Sequence, residues 1–131
     1  MPRPIDAEPT SSPGGLAPWQ VARITRHIDG HLAEPLSVAG LAALLGLSAG
    51  YFSRAFRAST AMPPHAYILA RRLARARAMM LATPRGLSQI ALDCGFCDQP
   101  HLTRRFRRAH GMSPAAWRRS QEEGAALPLA A

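Results

Sequence analysis

At 131 residues the chain has room for one compact domain or two very small ones, and too little for an added ligand-sensing domain of ordinary size. Sixteen basic residues against eight acidic ones give a net charge of +8, which favours polyanions such as nucleic acid or an anionic membrane surface. No stretch approaches the ~20 apolar residues of a membrane span, and the N-terminus has no basic start followed by an apolar run, so no membrane partner and a cytoplasmic location are expected.

Every basic side chain is an arginine. Guanidinium groups contact phosphate and guanine bidentately, which suits DNA; a GC-rich gene yields the same bias without any such demand.

Residues 1–17 are rich in Pro, Gly and Ser and are expected to form a flexible N-terminal tail, with the folded domain over 18–120 and a C-terminal tail over 121–131. Between the tails the apolar residues recur with helical period and nowhere alternate long enough for a strand, so the fold class is all-α. Val21, Ile24, Ile28 and Leu32 form the stripe of a first helix, opened near Pro18 and stopped by Glu34-Pro35. A short supporting helix capped by Ser37 reaches Leu45 and ends at Gly46; a second, with Ser88 as its cap, reaches Cys94 and ends at Gly95. The longest helix covers PHAYILARRLARARAMML, with Leu69, Leu73, Ala76 and Met80 on one stripe and Arg71, Arg75 and Arg77 largely off it.

The decisive feature is a repeat at a lag of about 50 residues. Leu41 to Leu47, Ser48 to Phe56 and Met62-Pro63-Pro64 return as Ile90 to Phe96, Asp98 to Phe106 and Met112-Ser113-Pro114. Each copy reads as a short helix, a glycine turn and a second, capped helix: a helix-turn-helix, over 36–62 and again over 87–112, joined by a linker helix over 63–82. At 1.5 Å per residue that linker spans about 27 to 30 Å, close to the ~34 Å of one B-DNA turn.

Placed at 100° steps, the second copy's reading helix has Leu102, Phe106 and Ala109 on its back and Pro100, His101, Arg104, Arg107 and Arg108 on its front, with Thr103 and Arg105 on the flanks. The first copy buries Phe52 and Phe56 and presents Gly50, Tyr51, Arg54 and Arg57, with Ser53 on a flank. One charged helix face is ordinarily a solvated face, but two in matching phase behind matching turns are not accounted for that way. Ser48 and Asp98 are the expected caps.

The segment LSQIALDCGFCDQPHLTRRFRRAHGMSPAAWRR closely resembles the C-terminal signature of AraC/XylS-type transcription regulators, and Pro64, Tyr67, Arg72, Leu73 and Ala76 match that family's linker-helix pattern. The likeness covers about residues 19–119 and implies a DNA-binding domain: seven helices in two homeodomain-like subdomains on adjacent major-groove segments of double-stranded DNA; at this length it is expected to stand alone, the DNA-binding end of a longer regulator being the alternative. It also implies that base reading falls to Ala49, Gly50, Ser53 and Arg54 in the first copy, and to Gln99, Pro100, His101, Thr103 and Arg104 in the second. Activation through RNA polymerase is implied more than repression. Three positions depart from the pattern: Gly50 lacks a reaching side chain, Pro100 has no amide to donate, and Leu102 replaces a phenylalanine.

Arg57, Arg105, Arg107 and Arg108, with Arg71 and Arg75 on the linker, are the expected phosphate contacts and the main source of affinity. Arg54 and Arg104 are suited to guanine, Gln99 to adenine, and Thr103 to a thymine methyl. Because the copies differ, a monomer is expected to bind two unlike half-sites in tandem.

Cys94 and Cys97 form C-x-x-C, but two cysteines fall short of a four-thiolate zinc site; Cys94 is expected in the core, and Cys97 in the turn is a candidate redox-sensing thiol. His27 and His31 are expected on a solvated helix edge. No nucleophile, base and oxyanion-donor set is present, so neither enzyme activity nor a metal or cofactor is expected. The competing expectation is a protein-interaction module or thiol-based sensor that keeps the fold without specific DNA recognition.

Overall fold

The computed structural model describes residues 14–126. Seven α-helices make up its regular structure, with no strand among the described residues: α1 Pro18–Gly30, α2 Val38–Leu44, α3 Ala49–Thr60, α4 Pro64–Ala82, α5 Leu87–Asp93, α6 Gln99–His110 and α7 Pro114–Ala126. No single helix among them is long and apolar enough to cross a membrane. The chain divides into two compact units inside α4, between Ala70 and Arg71.

The first unit closes around Ile24 and Ile28 of α1, Leu41 and Ala42 of α2, Phe52, Ala55 and Phe56 of α3, and Ile68 of α4. Helix α1 ends at Gly30, earlier than the expected stop at Glu34-Pro35, because His31 leaves the helical region at φ −132°. Leu32 is nonetheless buried in the turn that follows. The stretch before α1 is partly held, contrary to its assignment to a flexible tail. Leu16 is 2% exposed, and its N–H donates to Ser59 Oγ at 2.8 Å, which fixes the backbone ahead of α1 against the last turn of α3. Residues 1–13, the rest of that expected tail, lie outside the described residues. His27 and His31 are half-buried and stacked at 4.0 Å, less solvated than the spacing suggested.

In the second unit, Leu73, Ala76 and Met80 of α4 are buried, as are Ile90, Ala91, Cys94, Phe96, Leu102 and Phe106. Trp117 of α7 meets Phe106 edge-on at 5.7 Å. The expected α4 stripe needs one correction: Ile68 is buried where Leu69 was expected, and Leu69 is only partly covered. A second concerns the C-terminus. Helix α7 continues to Ala126, so residues 121–126 of the expected tail are helical, as the helix formers Gln121, Glu122 and Glu123 allow; 127–131 lie outside the described residues.

Both supporting helices end in the same turn. Gly46 and Gly95 have φ +69° and +90°, and the residue after each donates back across the turn, Leu47 N–H to the Ala42 carbonyl and Phe96 N–H to the Ala91 carbonyl. This is the double-bonded C-terminal motif that needs a residue in the left-handed region, which glycine occupies without a Cβ penalty. The chain bends by 84° between α2 and α3.

Candidate nucleic-acid interface

Each reading helix is started by the expected cap. Ser48 Oγ accepts from Tyr51 N–H at 3.2 Å, and Asp98 Oδ1 from His101 N–H at 2.8 Å, satisfying amides that have no partner within the helix. Ser37 caps α2 in the same way. Ser88 does not cap α5. That helix starts at Leu87 with Gly86 as its N-cap, so Ser88 already lies inside the helix and its hydroxyl is directed elsewhere.

On α3, Phe52, Ala55 and Phe56 face the core, while Ala49, Gly50, Arg54 and Arg57 are exposed and Ser53 is half-covered. The Arg54 side chain reaches back toward Gly50: a Cβ built on the glycine would stand 3.4 Å from Arg54 Nη1, an ordinary van der Waals contact. Tyr51 stands beside them, 46% exposed.

On α6, Leu102 and Phe106 are fully buried, and Arg104, Arg105, Arg107 and Arg108 are all exposed. Ala109, expected on the back of the helix, is exposed instead, because the buried arc is narrow and ends at Phe106. Pro100 is exposed in the first turn, where its lack of an amide costs no helical bond; Gln99, His101 and Thr103 are half-buried.

Two of these side chains are held by their surroundings. The Ser88 hydroxyl donates to Gln99 Oε1 at 2.8 Å, joining the supporting helix to the first residue of the reading helix. His101 Nδ1 accepts the Cys97 N–H at 3.2 Å, and its ring meets Phe96 edge-on at 5.3 Å. Burial first, then Arg105 and Arg104, holds the His101 pKa below its usual value against the pull of Asp98. The neutral ring that accepts at Nδ1 carries its proton on Nε2, leaving that nitrogen as its donor.

On α4, Arg71 and Arg75 are exposed. Arg77, expected off the apolar stripe, donates from Nη1 to His110 Nε2 at 2.8 Å and so serves the packing of α6 on α4. Arg118, which the sequence did not single out, donates from one guanidinium to the carbonyls of Met80, Thr83 and Arg85, closing the end of α4. Its only signal in sequence is its place inside the signature segment.

Cys94 is fully buried, its Sγ 3.6 Å from Met79 Sδ, and burial pushes its thiol up to about 11; Cys97 is exposed. Among the described residues no group of three or more His, Cys, Asp or Glu could hold a metal ion.

Comparison with known proteins gives this arrangement its context. Residues 41–120 match a family model described as a helix-turn-helix domain. The chain is 35% identical over 94 residues to the probable transcriptional regulator LumQ of Photobacterium leiognathi, covering 72% of the chain and 38% of LumQ. It is 35% identical over 91 residues to the regulatory protein SoxS of Salmonella typhimurium, covering 70% of the chain and 85% of SoxS. Among solved structures, the DNA-binding domain of AdpA, a global transcriptional factor in complex with a target DNA, superposes with a TM-score of 0.74 at 31% identity, over 77% of this chain and 91% of that one. The chain spans about a third of the length of several curated relatives it matches, LumQ included.

Proposed function

The chain belongs to the AraC/XylS family of helix-turn-helix proteins, and from that premise we propose that it is a sequence-specific DNA-binding transcription regulator, acting as a monomer and favouring activation through RNA polymerase. The observation that carries this reading is the duplication of one device. Each unit projects a capped helix whose apolar arc is buried and whose opposite face carries arginine, Arg54 and Arg57 on α3 and Arg104, Arg105, Arg107 and Arg108 on α6. Helices of this kind enter the major groove with their first turns against base edges and their charged flanks near phosphates.

In this reading, base contacts come from Ala49, Gly50, Ser53 and Arg54 in the first head, and from Gln99, Pro100, His101, Thr103 and Arg104 in the second. Arg54, extended over Gly50, takes guanine in the first; Arg104 does so in the second. Arg57, Arg105, Arg107 and Arg108, with Arg71 and Arg75, neutralise phosphate and supply most of the affinity. The two heads carry different side chains, so the operator consists of two unlike motifs in tandem on successive major-groove segments.

Selection of bound duplexes from a random pool tests this. Two distinct motifs at fixed spacing are expected. Uniform binding to every sequence, or protection of a single groove segment in footprinting, would overturn the proposal.

A further inference from the structure

Beside the first turn of α6 lies an open groove of about 750 Å³, lined by Ser88 and Leu92 of α5 and by Gln99, Pro100, Thr103 and Arg104 of α6, among others. Leu92 is 53% exposed, which is unusual for a leucine on a supporting helix whose neighbours Ile90 and Ala91 are fully buried. With Pro100 it gives the groove an apolar patch, which Thr103 borders. Asp98, at one end, already spends a carboxylate oxygen on His101 N–H.

Gln99 lines the same groove, and its amide is held from one end. Its Oε1 accepts the Ser88 hydroxyl, so the NH2 is the end of the amide left to donate. A free glutamine pairs with adenine through both ends, accepting at Oε1 and donating from Nε2; a glutamine whose oxygen is engaged offers mainly the donor.

Of the four bases, thymine alone presents an apolar group to the major groove, the 5-methyl, and it sits next to the O4 acceptor; cytosine presents an amino donor there, and adenine an amino donor beside N7. A donor next to a methyl-sized apolar wall matches thymine. Adenine or cytosine would put an amino group against carbon and leave it without a partner, which is costly. We propose that the groove between α5 and α6 is a thymine-reading subsite, in which Leu92, Pro100 and Thr103 receive the 5-methyl and Gln99, braced by Ser88, donates to O4. Arg104 at its rim sets this thymine beside the guanine of the same motif. Leu92 and Ser88 are then specificity-determining residues outside the reading helix. The inference rests on the DNA-binding reading above and deepens it.

The deciding comparison alters the DNA and is made with the parent chain. The full chain is used to select its motifs from a random pool, and the motif whose guanine preference Arg104→Ala relaxes is assigned to the second head. Affinity is then measured by fluorescence anisotropy on duplexes carrying thymine, deoxyuridine or cytosine at the position next to that guanine. Deoxyuridine, which lacks only the methyl, is expected to bind about three- to fivefold more weakly than thymine, the worth of burying one methyl-sized group. Pro100→Ser or Leu92→Ser should bring that ratio toward one, and Ser88→Ala should reduce the preference for thymine over cytosine. Equal binding of thymine and deoxyuridine, or no thymine in the motif, would overturn the subsite while leaving the regulator reading intact. A pool that returns no motif would overturn both.

Discussion

Ala61 and Gly111 end α3 and α6 in the same left-handed backbone conformation, φ 67° and 79°, and each donates its N–H to a carbonyl one turn back, on Arg57 and Arg107. The two residues are equivalent in the repeat, but only the second is a glycine. A Cβ in that region crowds the neighbouring carbonyl, at roughly 1 kcal/mol or slightly more. Ala61→Gly is therefore expected to stabilise the first unit by about 1 kcal/mol, less the extra chain entropy of glycine. Urea denaturation followed by circular dichroism checks it, and a loss of stability would mean that the left-handed cap is not under strain.

Arg118 donates to three carbonyls at 2.6 to 3.2 Å, two of them, Met80 and Thr83, in the last turn of α4 and just beyond it. Its removal leaves those partly covered carbonyls unpaired. Arg118→Ala is expected to cost about 2 to 3 kcal/mol, in the range for bonds to a charged group. Arg118→Lys should recover only part, because an ammonium lacks the planar fork that reaches several acceptors at once. Equal stability of the Ala variant and the parent chain would contradict this role.

His27, His101 and His110 all have pKa values held below 6.5, burial being the first cause for each, with His31, Arg105 and Arg77 respectively the leading charges that add to it. His110 accepts from the Arg77 guanidinium, which requires a neutral ring. The unfolded chain thus binds more protons than the folded one just below pH 6.5, so stability rises with pH there and is lost as pH falls from that value. Thermal denaturation from pH 7.5 to 5 should show a falling midpoint. His110→Gln should flatten the slope.

Much of this was legible in the sequence. The repeat, the capping serine and aspartate at 48 and 98, and the inward phase of Phe52, Phe56, Leu102 and Phe106 all follow from periodicity and side-chain chemistry. Ser88 was misread because a hydroxyl near a helix start caps or bridges depending on a one-residue shift in where the helix begins, which Gly86 settles here. Leu16 lay in a segment whose composition argues for disorder; a single tertiary contact outweighs composition at that point. Ile68 lies 100° from Leu69 on a helical wheel and joins the core of the first unit, while Leu73, Ala76 and Met80 are buried in the second, so one stripe drawn along the whole of α4 misplaces it.

In the proposed complex the arginines divide by role. Arg104→Ala should relax the guanine preference of one motif, at about 1 to 3 kcal/mol. Arg107→Ala should weaken all sequences alike and reduce the slope of log affinity against log salt by about 0.9. Anisotropy titrations at several salt concentrations, on selected and scrambled duplexes, separate the two. Identical losses on both duplexes for Arg104→Ala would remove it from base reading.

The cysteines should differ sharply in reactivity. Cys94 is buried with its thiol pushed up to about 11, so it is protonated at neutral pH and shielded; Cys97 is open to solvent. An Ellman titration of the native chain should count one thiol at once and the second only on unfolding. Two fast thiols would show that the packing around Cys94 opens readily.

The bond between Leu16 and Ser59 has a practical corollary for anyone attaching something ahead of the first helix. Ser59 sits in the last turn of α3, ten residues from Ala49 and so about 15 Å along the helix from it. The backbone at Leu16 is therefore moored at the trailing end of that helix, set back from the first-turn residues, and a label placed at Leu16 itself would sit away from them.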